Sequence, residues 1–171
     1  AGAGAGTLLA MVLLIRTRNH SLLRHRFTAA EIPSRRVYPG SLEALLKPMR
    51  ARTEVIELEG ALFFGNADRL ATEADRVRAD LAFLIVDFRR VTTIDASGAV
   101  GLAQLKERLG RRGVTLLLAG VTRDNRHGRA LQAHGVFRDG AGWDAFADAD
   151  HAIEAAEMRL LQQTCHALEG L

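Results

Sequence analysis

Two short runs in this chain leave little choice of fold. "FLIV" at 83–86 and "VTLLLAG" at 114–120 are apolar almost throughout. A strand that is apolar on both faces belongs in the interior of a sheet covered by helices. Between the two runs, Leu102, Leu105 and Leu109 recur at helical spacing and stop at Gly110 or Gly113, so a helix links the strands. Strand, helix, strand in this order makes a parallel pair with a right-handed crossover.

The alternation extends in both directions. "TEVIELEG" at 53–60 has period two, with Val55, Glu57 and Glu59 on one face and Ile56 and Leu58 on the other, which predicts a strand with at least one buried face. Ala67, Leu70, Ala74, Val77 and Leu81 then mark a helix, with Asp68, Glu73, Asp75, Arg76 and Arg78 on its outer face. A third helix is expected over about 123–133. In the last, "DADHAIEAAEMRLLQQ", Ile153, Ala156 and Leu160 point inward and Asp148 or Asp150 serves as cap. The prediction is an α/β fold with a mixed sheet of about four to five strands, mainly parallel at its core, flanked by about four helices. At 171 residues, with 48% hydrophobic and 5% aromatic side chains, the chain suits one compact domain plus a terminal extension.

That extension is amino-terminal. "TLLAMVLLI" at 7–15 is wholly apolar save for its first residue and runs straight into Arg16 and Arg18. It is shorter than the roughly 20 residues that span a bilayer, and no positive charge precedes it as in a signal peptide. It reads as the last turns of a membrane helix with arginines on the cytoplasmic side, or as an amphipathic leader. Arg16, Arg18, Arg24, Arg26, Arg35 and Arg36 against the single acid Glu31 make 16–36 a basic linker. The three prolines at 33, 39 and 48 bracket one short helix over about 41–46, and a domain boundary is expected near residue 36. The basic arm lacks interleaved aromatics beyond Phe27, so nucleic acid is not expected as a partner. The lone Cys165 rules out an internal disulfide and reads as a buried structural thiol.

The residues assemble no active site. Asp95-Ala96-Ser97-Gly98 lacks the glycine that precedes the serine of a nucleophile elbow. His127 and His134, seven apart on one helical face, have no carboxylate at ligand spacing and read as a solvated face, so no metal is expected. "AGAGAG" follows no strand and is no dinucleotide loop. Neither an enzymatic activity nor a cofactor is expected. The Asp-Ala-Ser-Gly turn reads first as a helix start, in which Asp95 or Ser97 accepts hydrogen bonds from free amides. A phosphoryl group on Ser97 would be favoured by those same amides. Asp87, set within an apolar strand, is expected near the strand's carboxyl end with hydrogen-bond donors around it.

A strand, a helix and then "FLIVDFRRVTTIDASGAVGL" resemble the STAS domain, shared by anti-anti-sigma factors and by the cytoplasmic tails of SulP (SLC26-type) anion transporters. "EVIELEGALFFG" followed by "NADRL" resembles the transporter branch, as does "DADHAIEAAEMRLL" at the end. The resemblance covers about 35–163 and implies a STAS domain over 37–165. It implies a regulatory, protein-interaction role beside an anion transporter, in the cytoplasmic part of a plasma-membrane protein. The partners implied are the transporter's own membrane domain and a cytoplasmic regulatory protein. Weak nucleotide binding and homodimerisation through the full-length transporter are also admitted by the resemblance. In the anti-sigma branch the serine of this motif is phosphorylated, which here makes Ser97 the switch candidate and Asp95 its companion. Ala96, Gly98 and Asn66 are the docking candidates. The alternative is a free-standing anti-sigma-factor antagonist switched at Ser97.

Overall fold

A computed structural model describes residues 22–136 and 143–169, with Gly4. The apolar run at 7–15 and the arginines at 16 and 18 lie outside the described residues. Five strands, β1 (Leu23–Thr28), β2 (Thr53–Leu62), β3 (Phe83–Ile94), β4 (Thr115–Ala119) and β5 (Asp144–Phe146), form one sheet in chain order. The edge strand β1 is antiparallel to β2 and every other pairing is parallel. Five helices accompany them: α1 (Gly40–Met49), α2 (Phe64–Arg76), α3 (Ala96–Arg111), α4 (Arg126–Ala133) and α5 (Ala149–Glu169). The predicted α/β class and mixed sheet with a parallel core are what the chain adopts.

Right-handed crossovers in one direction put α2, α3 and α4 on one face of the sheet. Leu70, Leu102, Leu105, Leu109 and Leu131 pack there against Ile56, Leu84 and Val86. The other face holds α1 and α5, whose Leu46, Ile153, Ala156 and Leu160 cover Val55, Ile85 and Leu117. Leu84, Ile85 and Val86 are fully buried, so β3 is apolar because helices cover both its sides. Gly113, at φ +74°, takes the left-handed conformation that ends the stretch after α3.

Several expectations are corrected. The described part of the basic linker is folded: β1 pairs with β2 from Leu23↔Leu58 to Thr28↔Glu54, and Leu22 and Ala29 are core residues. The chain therefore has no boundary near residue 36. Ser34 is buried, Arg35 pairs with Asp150 at 3.2 Å and Arg36 with Glu154 at 2.5 Å, which ties this segment to α5. Glu73, expected on the outer face of α2, is buried and meets Arg26 of β1 at 2.5 Å. Arg26 also sits 2.5 Å from Glu54. Burial, with Glu73 nearby, pushes the Glu54 carboxyl above its ordinary value, against the pull of Arg26. His127 is buried rather than solvated, whereas His134 is exposed. Cys165 is exposed rather than buried. Asp148 is the residue that receives an amide at the start of α5, from His151 at 2.9 Å.

Candidate functional site

Parallel strands finish, and the helices that follow them begin, at one end of the sheet. The starts of α2, α3 and α4 therefore share a rim, and each is capped by a short polar side chain. At α2, Asn66 Oδ1 accepts from the Phe63 amide at 2.9 Å while its Nδ2 donates to the Ala61 carbonyl at 2.6 Å. At α3, Asp95 Oδ1 accepts from the Gly98 amide at 2.7 Å. At α4, Asn125 Oδ1 accepts from the Gly128 amide and its Nδ2 donates to the Gly120 carbonyl, both at 2.9 Å. Asn125-x-x-Gly128 thus repeats the layout of Asp95-x-x-Gly98 one strand further on, a likeness visible in the sequence once the two helix starts are aligned.

Of the two caps the sequence allowed for α3, Asp95 is the one used. Asp95 and Ala96 are exposed, Ser97 is half-buried in the first turn, and Gly98 is buried. The Asp95 amide donates to the Leu62 carbonyl at 3.1 Å. A Cβ on Gly98 would run into that same carbonyl, so only glycine lets α3 start this close to the end of β2. The rim therefore brings Asn66, Asp95, Ala96, Ser97 and Gly98 together on two adjacent strand-to-helix turns. Phe63 and Val100, about half exposed, flank them.

β3 runs on past the body of the sheet. Its last pair with β4 is Asp87↔Ala119, yet it stays paired with β2 to Leu62↔Ile94. The edge this leaves open is met by α4: the Val91 carbonyl accepts from Arg126 Nη2 at 2.9 Å and lies 2.7 Å from His127 Nε2. The other imidazole nitrogen lies 3.2 Å from the Gly120 carbonyl. Asp87 stands where the sheet gives way to this two-stranded ribbon; it is buried, and Oδ1 accepts from the Arg89 amide at 2.8 Å. Beside β1, a cleft of about 370 Å³ between that strand and α2 is lined by Leu22, Leu23, Arg69, Thr72, Glu73 and Arg76, which no periodicity signalled. Among the described residues no group of His, Cys, Asp or Glu could hold a metal ion, and no helix is long and apolar enough to cross a membrane.

Residues 47–149 match the family model of the STAS domain. Over 130 residues the chain is 32% identical to Glutaminase 2 of Bradyrhizobium diazoefficiens, an alignment covering 76% of this chain and 20% of that protein. The chain thus spans about a fifth of the length of that curated relative. A sulfate transporter family protein from Wolinella succinogenes is 32% identical with a TM-score of 0.56, over 74% of this chain and 93% of that one. The STAS domain of a SulP transporter from Vibrio cholerae shares the fold at 20% identity and a TM-score of 0.51, over 71% of this chain and 98% of that one.

Proposed function

This chain belongs to the STAS domain family, and from that premise we propose that it is the non-enzymatic regulatory domain of a SulP-type sulfate or anion transporter. It works beside the transporter's membrane domain on the cytoplasmic side. There it couples a cytoplasmic partner or signal to anion transport. The observation that carries the reading is the 32% identity to the sulfate transporter family protein over 93% of that chain.

The rim is the working surface in this proposal. Asn66, Ala96 and Gly98 shape a turn against which a partner docks. Ser97, in the first turn of α3, is the modification point. A phosphoryl group there would meet the free amides of the helix start, and Asp95 beside it would add repulsion that alters the docking surface.

A second reading is favoured by the Bradyrhizobium match: the same kind of domain serving as an accessory module of a larger enzyme such as a glutaminase. Sequencing the reading frame upstream of residue 1 separates the two. About ten hydrophobic segments of membrane-spanning length would support the transporter, and a soluble catalytic domain would sink it in favour of the accessory module. An initiation codon directly before residue 1 would support a free-standing antagonist switched at Ser97.

A further inference from the structure

The end of the sheet where the helices begin also carries an uneven charge. Arg89 and Arg90 on the β3 ribbon, Arg123 before α4, and Arg126 and Arg129 within it are all exposed. The exposed acids among them are Asp95, Asp124 and Glu59, the last beside Arg90 in the β2–β3 register. Arg126 donates to the Val91 carbonyl and Arg129 to the Asp124 carbonyl, neutral acceptors that leave the guanidinium charge uncompensated. Arg89 lies only at 3.8 Å from Glu57 and 3.9 Å from Asp87, so these ion pairs are loose. On the flank, Arg24 lies 3.7 Å from Glu59. At the opposite end Arg78, Arg108 and Arg111 each have an acid partner, at 2.7, 3.7 and 2.9 Å, while Arg112 donates to the Ala74 and Val77 carbonyls. The helix starts gathered at the first end add the positive poles of their dipoles.

Two further features lie at this same end. Phe63 is 47% exposed and Val100 55% exposed, side chains of the kind that settle into a lipid interface. β1 is antiparallel to β2, with Leu23 opposite Leu58, so the chain enters the domain here, directly after the apolar run at 7–15 and Arg16 and Arg18.

We propose that the Arg89–Arg90 ribbon and the Arg123–Arg129 helix start form a basic surface that rests on an anionic lipid bilayer. This rests on the reading of the chain as neighbour to a membrane domain. It adds that the domain touches the lipid itself, with the Asp95–Ser97 turn beside the contact. An anionic headgroup layer fits the features better than an acidic protein does, because the approach of the chain and the exposed apolar pair lie on the charged side.

The test is co-sedimentation of the full chain with vesicles of phosphatidylcholine, with and without phosphatidylglycerol. The parent is expected to partition onto the anionic vesicles and to be released by salt. An Arg90→Glu, Arg123→Glu, Arg129→Glu triple variant should lower the partition coefficient about tenfold or more, since each arginine near such a surface contributes appreciably. The Arg78→Glu, Arg108→Glu, Arg111→Glu triple should stay within about twofold of the parent by the same reasoning. Circular dichroism checks that both are folded, and the single Arg90→Glu variant replaces the first triple if it is not. Equal losses in both triples, or equal binding to neutral vesicles, overturn the proposal and assign binding to residues 7–15. Patch-dependent binding to polyglutamate without binding to anionic vesicles overturns it in favour of an acidic protein. Membrane segments found upstream, together with lipid binding that ignores the patch, would remove this surface and leave the transporter reading standing.

Discussion

Arg50 and Glu157 face each other inside the protein, Arg50 Nε donating to Glu157 Oε1 at 2.8 Å with the glutamate fully buried. The Ser34 hydroxyl and the Tyr38 hydroxyl donate to Glu157 Oε2. On its outer side Arg50 is forked onto Glu43, with Nη2 donating to Oε2 at 2.9 Å. One carboxylate on α5 thus fastens the segment from residue 34 to residue 50. Removing one partner of a buried pair leaves the other charge uncompensated. Glu157→Ala should therefore cost about 3–5 kcal/mol, read as a lower midpoint in urea unfolding. Arg50→Ala should cost a similar amount, and the double variant less than their sum.

The same cluster sets an alkaline limit. Burial, and then the Glu157 carboxylate beside it, push the Tyr38 phenol up to about 12. Unfolded, a tyrosine titrates near 10, so the folded state holds the proton more tightly. The stabilisation is complete below about pH 10 and is lost as pH rises through about 12. Unfolding free energy measured across that window should fall, and fall less steeply in Tyr38→Phe. Equal slopes would mean that Tyr38 is not held by Glu157.

At the rim, capping and signalling are separable. Asp95→Ala removes the side chain that receives the Gly98 amide and should cost about 0.5–2 kcal/mol. Ser97→Ala leaves that cap in place and should cost less than about 1 kcal/mol. If the proposed transporter and switch readings both hold, Ser97→Asp in the full-length protein changes anion uptake or the partners recovered, and Ser97→Ala does not mimic it. Identical uptake and partners for serine, alanine and aspartate would reduce the motif to a helix start.

Gly98→Ala should be costlier than either. Its Cβ would strike the Leu62 carbonyl, backbone that cannot rotate away, and overpacking of this kind costs about 1–3 kcal/mol. Thermal unfolding of the variant checks this; an unchanged midpoint would show that α3 can shift away from β2 freely.

Deleting residues 1–30 should lower the melting temperature substantially, because β1 and the core residues Leu22 and Ala29 go with them. Deletion of residues 1–21 alone keeps every described strand. A melting temperature unmoved by the longer deletion would mean that β1 contributes little to the sheet.

Elements with a clean period were readable without coordinates: β2, the 83–86 core of β3, β4 and the buried leucines of α3 follow from spacing alone, whereas the run of β3 on to Ile94 does not. β1 was not, since "LRHRFT" carries the charges of an edge strand and shows no apolar alternation. Glu73 and Glu157 were hidden for a related reason. Each is an acid whose burial is made tolerable by an arginine far away in sequence, Arg26 for the first and Arg50 for the second, and pairings of that range leave no local trace. The helix start at Asp95–Gly98 was legible as a turn. The choice of Asp95 over Ser97 as cap, and the contact with Leu62, required the neighbouring strand.

The Leu62 carbonyl, which a Cβ on Gly98 would strike and which accepts from the Asp95 amide, belongs to the residue that leads into Phe63 and the start of α2. The two turns are thereby joined through backbone alone, with no long side chain whose rotamers must be frozen when something binds. A partner that lands on this rim meets a surface already ordered. Its affinity is spared much of the entropy that association usually costs, so even a small footprint there can yield a specific, quickly reversible complex.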